Sequence, residues 1–290
     1  MREETYFFKR NINRLHLLML LGMTCYTLMG GSTAYGYLAC LAVLAFFLRD
    51  EISLRSLFEK KRSMTPLIFF QLLSLTQTLN FTHIVWNEFS ELILNGFGLT
   101  AGGFLHENMA VWTYEPTPFH EVLLFGFFGP VVEELTMRGY LMRSYREYSG
   151  SKVYAIVFSA ILFGVFHSNF HTSVPIIFDA IVLGYIATEY GIVWTMIYHM
   201  IENFVISHLF VDGILMQLPS ALRFPVAFLV FSLIAVCALM VLIRKRRGIF
   251  EYIEENRCEK SHIRLTLRSP VFCFVVVLFT LLSLRMISVL

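Results

Sequence analysis

The sequence predicts an all-α polytopic integral membrane protein, with about eight to nine transmembrane helices arranged around a polar cavity. The first observation is composition: 57% of the 290 residues are hydrophobic and 15% are charged, with a mean hydropathy of +0.65. Soluble domains are much less apolar than this. The second is that apolar runs long enough to cross a bilayer recur along the chain. The third is the uneven placement of lysine and arginine, neither of which occurs between Ser63 and Met137.

The chain alternates between apolar spans and polar connections. Residues 1–14 are charged, and no small-residue cleavage site ends the first apolar run, which predicts a retained helix and not a signal peptide. The connection 49–63 has apolar residues at spacings typical of a short interfacial helix. Nine spans of transmembrane length are predicted: 15–31, 33–48, 65–85, 119–143, 153–169, 174–190, 192–211, 222–243 and 270–289.

The positive-inside rule orients these spans. With nine spans and a cytosolic N-terminus, every connection rich in Lys or Arg falls on the cytosolic side, including the basic loop 244–268. The connection 87–118 carries four glutamates and Trp112 but no Lys or Arg, so we expect it on the outer face. The short cytosolic loops and the absence of targeting features favour a multi-pass protein of a bacterial plasma membrane, with the lipid bilayer as partner. The net charge of +2 is uninformative as a total, and no nucleic-acid partner is expected for such a membrane protein.

Ionisable residues lie inside the fourth predicted span. Charged groups in hydrocarbon are energetically costly, which makes them candidates for function. Glu134 and Arg138 are four residues apart, so they share a helix face and are predicted to pair. Glu133 points about 100° away from Glu134 and is left for another task. Pro130, one turn earlier, lacks a backbone donor and is predicted to kink the helix.

Further polar clusters lie in the apolar spans downstream. His167 is four residues from Phe163 on one side and four from His171 on the other. His199 and Asn203 are four apart and share one face of a predicted helix. Two carboxylates complete the set: Glu202, beside Asn203, and Asp179, which is predicted to line the cavity or to pair with a polar neighbour.

These motifs resemble those of the CAAX prenyl endopeptidase and bacteriocin-processing family, the Abi group of intramembrane proteases. That group includes the type II CAAX prenyl endopeptidases. The resemblance rests on three motifs in order on successive hydrophobic helices: Glu133-Glu134-xxx-Arg138, Phe163-xxx-His167 and His199-xxx-Asn203.

The resemblance covers residues 119–210 and divides the chain into three parts. The segment 1–118 is predicted to hold N-terminal transmembrane helices and an outer loop. The segment 119–210 is the predicted catalytic core. The segment 211–290 is predicted to hold C-terminal transmembrane helices and the basic cytosolic loop.

The resemblance implies a glutamate-type intramembrane endopeptidase, in which Glu133 and His167 activate water. Hydrolysis of an amide needs a nucleophilic water and donors for the oxyanion of the tetrahedral intermediate. A carboxylate in a low-dielectric cavity is a stronger base than the same group in water. His199 and Asn203 offer N–H donors from one face, which suits an oxyanion hole.

The supporting residues leave the question of a metal open. In the implied scheme, Glu134 and Arg138 pair with or fix the Glu133 carboxylate. No cofactor is expected, and the HExxH motif of zinc proteases is missing. A divalent metal is the alternative, because sets of Glu and His bind metals inside helix bundles. Such a site would draw on Glu133, His167, His171, His199 and Glu202.

The predicted substrate is a hydrophobic or membrane-anchored peptide, with lipidated CAAX proteins, bacteriocins, pheromones and leader segments as options. The alternative function is a non-proteolytic membrane protein that confers self-immunity to a bacteriocin or regulates a sensor kinase. A proton-coupled transporter is less favoured, because no inverted repeat appears. The cleavage site and the oligomeric state are left open. His167 is predicted near the outer end of its span and His199 near mid-membrane, so they meet only if the helices are staggered or tilted.

Overall fold

Helices account for nearly all of the chain that the computed structural model describes. The all-α prediction is confirmed, apart from one antiparallel pair of two-residue strands, β1 (Leu99–Thr100) and β2 (Ser288–Val289). This pair connects a segment from the first half of the chain to its last described residues. The described residues are 2–29, 34–59, 61–101, 119–285 and 287–289.

The N-terminal part is a pair of long helices, α1 (Arg2–Leu28) and α2 (Ala34–Leu48). They approach closely where Gly22 faces Cys40, because a Cβ on Gly22 would lie 3.1 Å from the Cys40 Sγ atom. One face of α1 is apolar and turns inward, as expected of a helix packed on a core. The buried residues of this face are Phe8, Ile12, Leu15 and Met19.

Two capped helices follow. Ser53 accepts a hydrogen bond at the start of α3 (Leu54–Leu57), and this short helix lies within the connection predicted to be interfacial. Thr65 does the same at the start of α4 (Pro66–Thr76). Such caps satisfy backbone N–H groups that have no partner within the helix.

The predicted span 65–85 is wrong in extent. The helix breaks at Gln77, and α5 (Thr78–Asn95) continues well beyond the predicted end. The first part of the predicted outer connection is therefore helical. Residues 102–118, which carry the rest of that connection, lie outside the described residues.

The motif-bearing segment is helical throughout but alternates between α- and π-helical turns. π-Helical turns place an extra residue in the helix and are frequent at functional sites. Pro130 lies in the first turn of an α-helical stretch, directly after a π-helical one, so the predicted kink coincides with a change of helix type. The stretches are α6 (Phe119–Leu123), π-helical Leu124–Phe128, α7 (Gly129–Glu134), π-helical Leu135–Leu141 and α8 (Met142–Ser149).

The next two helices, α9 (Lys152–Phe166) and α10 (Phe170–Glu189), pack closely against each other. Gly164 makes the close approach possible. A Cβ at this position would lie 2.4 Å from Ile177 Cγ1 and 2.5 Å from the Ser173 carbonyl oxygen. Both distances are well inside van der Waals contact, so this position has no space for a larger side chain.

Replacing Gly164 with alanine is expected to destabilise the protein by about 1–3 kcal/mol, because the new methyl group forces α9 and α10 apart. Thermal unfolding of the purified protein in detergent measures the effect. Gly248→Ala is the matched control, since nothing lies within 4 Å of a Cβ there. Equal stability of the two variants would contradict the close packing described for Gly164.

The C-terminal part begins with α11 (Ile192–Met200), which continues as the π-helical segment Ile201–Asp212 and a 3₁₀ turn, Leu215–Gln217. The predicted loop start at residue 244 is wrong, because the basic run 244–247 continues the preceding helix without a break. The last three helices are α12 (Ser220–Glu255), α13 (Lys260–Leu267) and α14 (Pro270–Leu284).

Two of the described helices, α10 and α12, are long and apolar enough to cross a membrane on their own. The pair α13 and α14 would make a third span, bent by 59°. α2 and α9 are apolar but shorter. The predicted eight to nine spans are therefore not confirmed. Several predicted spans change helix type or break before an uninterrupted α-helix reaches transmembrane length.

Candidate active site

A buried ion pair lies at the centre of the motif-bearing segment. Arg138 Nη1 donates to Glu134 Oε1 at 2.7 Å, and both side chains are almost fully buried. The pairing follows the predicted four-residue spacing. The guanidinium also lies over the Phe163 ring, 4.7 Å from its centroid, and Nη2 reaches the Ala180 carbonyl at 3.4 Å. Arg138 thereby connects this segment to α9 and α10.

His199 lies between the two adjacent glutamates. Its Nδ1 is 2.9 Å from Glu134 Oε1, and its Nε2 is 3.8 Å from Glu133 Oε2. Because the Glu134 carboxylate is an acceptor, His199 donates from Nδ1, and this contact orients the ring. The 3.8 Å distance is too long for a direct hydrogen bond, so Nε2 of His199 stays available to another partner beside Glu133.

His167 follows the last residue of α9. Its Nδ1 donates to the Phe163 carbonyl at 2.7 Å, which leaves Nε2 as the acceptor of the neutral ring. Ser168 comes next, with a φ of 48°, the single positive φ of a non-glycine residue in the described chain. This left-handed conformation is strained for serine, and it ends the helix directly after His167.

Glu133 and His167 line one cavity, of about 520 Å³. Its walls are mostly apolar and aromatic, as expected of a site that binds a hydrophobic ligand. Tyr37 of α2 lines the same cavity and lies close enough to the Glu133 carboxylate to interact with it electrostatically. Sequence reasoning missed Tyr37, because a single tyrosine near the start of an apolar helix carries no signal of its own.

Asn203 connects two π-helical segments. Its Nδ2 donates to the Phe125 carbonyl at 2.9 Å. An amide has two N–H donors, so this bond uses one of them. Asn203 is not among the residues that line the cavity of Glu133 and His167. Its part in an oxyanion hole stays a prediction.

Glu202 and Asp179 lie in a second buried polar cluster beside the ion pair. Glu202 Oε1 accepts a hydrogen bond from Asn80 Nδ2 at 2.8 Å, and the Gln77 side chain faces the same carboxylate. Asp179 lies within electrostatic range of Glu202. One oxygen of each carboxylate has no hydrogen-bond partner among the described residues. Neither carboxylate lines the cavity of Glu133 and His167, and the contribution of Gln77 and Asn80 was not predicted.

His171 lies away from the cavity, contrary to its predicted place there. Both ring nitrogens are engaged elsewhere: Nδ1 is 2.8 Å from Asn87 Oδ1, and Nε2 is 2.7 Å from the Ala101 carbonyl oxygen. His171 and Glu202 therefore do not join the other residues of the alternative metal site. Within the described ranges, no three His, Cys, Asp or Glu side chains form a group that could hold a metal ion.

The family comparison agrees with the motifs. Residues 115–205 match the family model described as type II CAAX prenyl endopeptidase Rce1-like. The matched segment is about a third of the chain and contains every site residue predicted from the sequence. The predicted resemblance to the CAAX prenyl endopeptidase family is thus confirmed for this segment. No curated protein and no solved structure matches the chain.

Proposed function

We propose that the chain is a glutamate-type intramembrane endopeptidase, which hydrolyses a peptide bond of a hydrophobic or membrane-anchored peptide. One observation carries the proposal: Glu133 and His167, from separate helices, face one cavity, and His199 reaches Glu133 from a third helix. The similarity of residues 115–205 to type II CAAX prenyl endopeptidases supports the same class of reaction.

In the proposed reaction, a water molecule lies between Glu133 and His167. Glu133 takes a proton from this water while the water oxygen bonds to the carbonyl carbon of the peptide, giving a tetrahedral intermediate. His167 orients the water through its Nε2 acceptor. The proton then passes to the amide nitrogen, the C–N bond breaks, and a carboxylic acid and an amine are released.

The oxyanion of this intermediate needs donors that are already in position. His199 supplies one from Nε2 when its ring is protonated between Glu133 and Glu134. The second N–H of Asn203 supplies the other. Glu134 and Arg138 act as positioning residues, because their ion pair holds the donor ring of His199.

We infer that the chain is a multi-pass protein of the plasma membrane with a cytosolic N-terminus, in which the core 119–210 carries the reaction. The uneven distribution of Lys and Arg along the sequence supports this orientation. Lipidated proteins and bacteriocin-like peptides are both substrates of the required apolar character.

Peptide profiling of host membranes tests the reaction. Membranes that contain wild type or His167→Ala, matched for expression, are compared by mass spectrometry, with and without a chelator. We expect a cleavage product that disappears in His167→Ala and persists under chelation. His208→Ala is the control, because His208 pairs with Asp212 at 3.1 Å and does not line the cavity. If no peptide differs between wild type and His167→Ala, a non-proteolytic binding function replaces the proposal.

A further inference from the structure

The cavity of Glu133 and His167 lies toward one end of the helix bundle. It is lined by residues near the end of α1, near the start of α2, and after the ends of α9 and α14. The opposite ends of these helices meet the lysine- and arginine-rich segments. Contacts among those segments include Arg14 with Glu51 and Lys152 with Glu189. The cavity is therefore remote from the basic end of the protein.

Cations are scarce at the cavity end. Of the described lysines and arginines, Arg285 is the one that lines the cavity. Arg223 donates from Nε to the Leu218 carbonyl at 3.0 Å and does not line the cavity. Arg285 directly follows α14, is exposed, and lines the cavity.

Arg285 has no acidic partner among the described residues. Glu133, the acid that shares its cavity, faces His199 and Tyr37 instead. The cavity thus has a guanidinium at its rim, apolar walls, and a carboxylate within. A guanidinium binds a carboxylate with two parallel hydrogen bonds, which gives both orientation and affinity.

We propose that Arg285 is a specificity-determining residue that binds a carboxylate of the substrate, while the adjoining apolar residues occupy the cavity. This inference rests on the proposed endopeptidase function. An anionic group is disfavoured deep in the cavity, beside Glu133, and favoured at the rim, beside Arg285. The carboxylate is either the C-terminus of the peptide or an Asp or Glu side chain near the scissile bond.

Binding to an inactive variant tests this selectivity without turnover. The full chain with Glu133→Gln, in detergent, is titrated with fluorescent apolar decapeptides that differ in one feature. One has a free C-terminal carboxylate, the second a C-terminal amide, and the third an amide together with an internal Asp. We expect a carboxylate peptide to bind about 3- to 5-fold more tightly than the amide, because an ion pair formed with an exposed guanidinium contributes only modestly to binding. Comparison of the first and third peptides shows whether Arg285 binds a terminal or an internal carboxylate.

Substitutions of Arg285 in the Glu133→Gln background then test whether Arg285 causes the preference for carboxylate peptides. Arg285→Gln should remove the preference, and Arg285→Lys should keep part of it because the charge remains. Arg223→Gln is the control and should keep all of it. Equal binding of the three peptides, no binding of any, or an unchanged preference in Arg285→Gln would overturn the inference. If the wild type hydrolyses peptides but shows no preference for a carboxylate, only this inference is overturned. If a carboxylate preference is found but the wild type hydrolyses no peptide, only the proposed function is overturned.

Discussion

Replacing Glu133 with glutamine is expected to reduce peptide hydrolysis by about 100- to 10,000-fold, the range that removal of a general base produces. Glutamine keeps the size and much of the hydrogen bonding of glutamate but accepts no proton at neutral pH. Glu133 lies near His199 and Tyr37 at the wall of a cavity and is not part of the hydrophobic core. We therefore expect folding to be unaffected. Initial rates with the purified protein, and thermal unfolding in the same detergent, measure the two effects separately.

A second glutamate in the same segment provides the control. Glu121 lies on α6 and does not line the cavity, so Glu121→Gln should keep the wild-type rate. A Glu133→Gln variant that retains more than about a tenth of the activity would show that another group removes the proton, since general-base catalysis contributes more than this. The roles proposed for Glu133 and His167 would then have to be abandoned.

Replacing Glu134 with alanine is expected to destabilise the protein by about 3–5 kcal/mol, the largest effect on folding that we predict, because Arg138 would stay buried without its partner. The pair is almost inaccessible to solvent, and the same Glu134 oxygen also contacts His199. Equilibrium unfolding in mixed micelles gives the difference in free energy. A change below about 1 kcal/mol, typical of exposed ion pairs, would contradict the buried pairing.

A double substitution separates stability from positioning. Glu134→Leu together with Arg138→Met replaces the pair by apolar side chains of similar volume, a change that is often neutral or stabilising. We expect this variant to recover most of the stability lost in Glu134→Ala. We expect it to remain inactive, because His199 loses the acceptor that orients its ring. Full recovery of activity would show that Glu134 acts only through folding.

Local geometry explains what could be predicted from the sequence. The Glu134–Arg138 pair depends only on the helical repeat, and the sequence predicted it. The approach of Glu133 and His167 at one cavity depends on how distant helices pack, and the resemblance to a family pointed to it. The contacts of Tyr37 with Glu133 and of Asn80 with Glu202 depend on the same packing. No motif pointed to them, so they were missed.

The types and the lengths of the helices also could not be predicted from the sequence. Hydropathy detects apolar runs but does not distinguish α- from π-helical turns, so the interruptions in the motif-bearing segment carried no signal. The break at Gln77 was missed because the polar residues around it, Thr76, Gln77 and Thr78, lie in a run that is apolar on average. His171 was misassigned for a related reason. Four-residue spacing from His167 implies a shared face only if the helix continues, and it ends between the two.

In the proposed multi-pass topology, the Glu134–Arg138 pair also bears on how this segment enters a bilayer during synthesis. Its two charges lie four residues apart on one helix, so they neutralise each other as soon as that helix forms. Insertion then does not have to wait for a distant helix to supply a counter-ion. His199 is translated later and joins a pair that already exists. Separating the two charges onto different helices would preserve the assembled contact but would expose each nascent helix to the lipid with an unpaired charge.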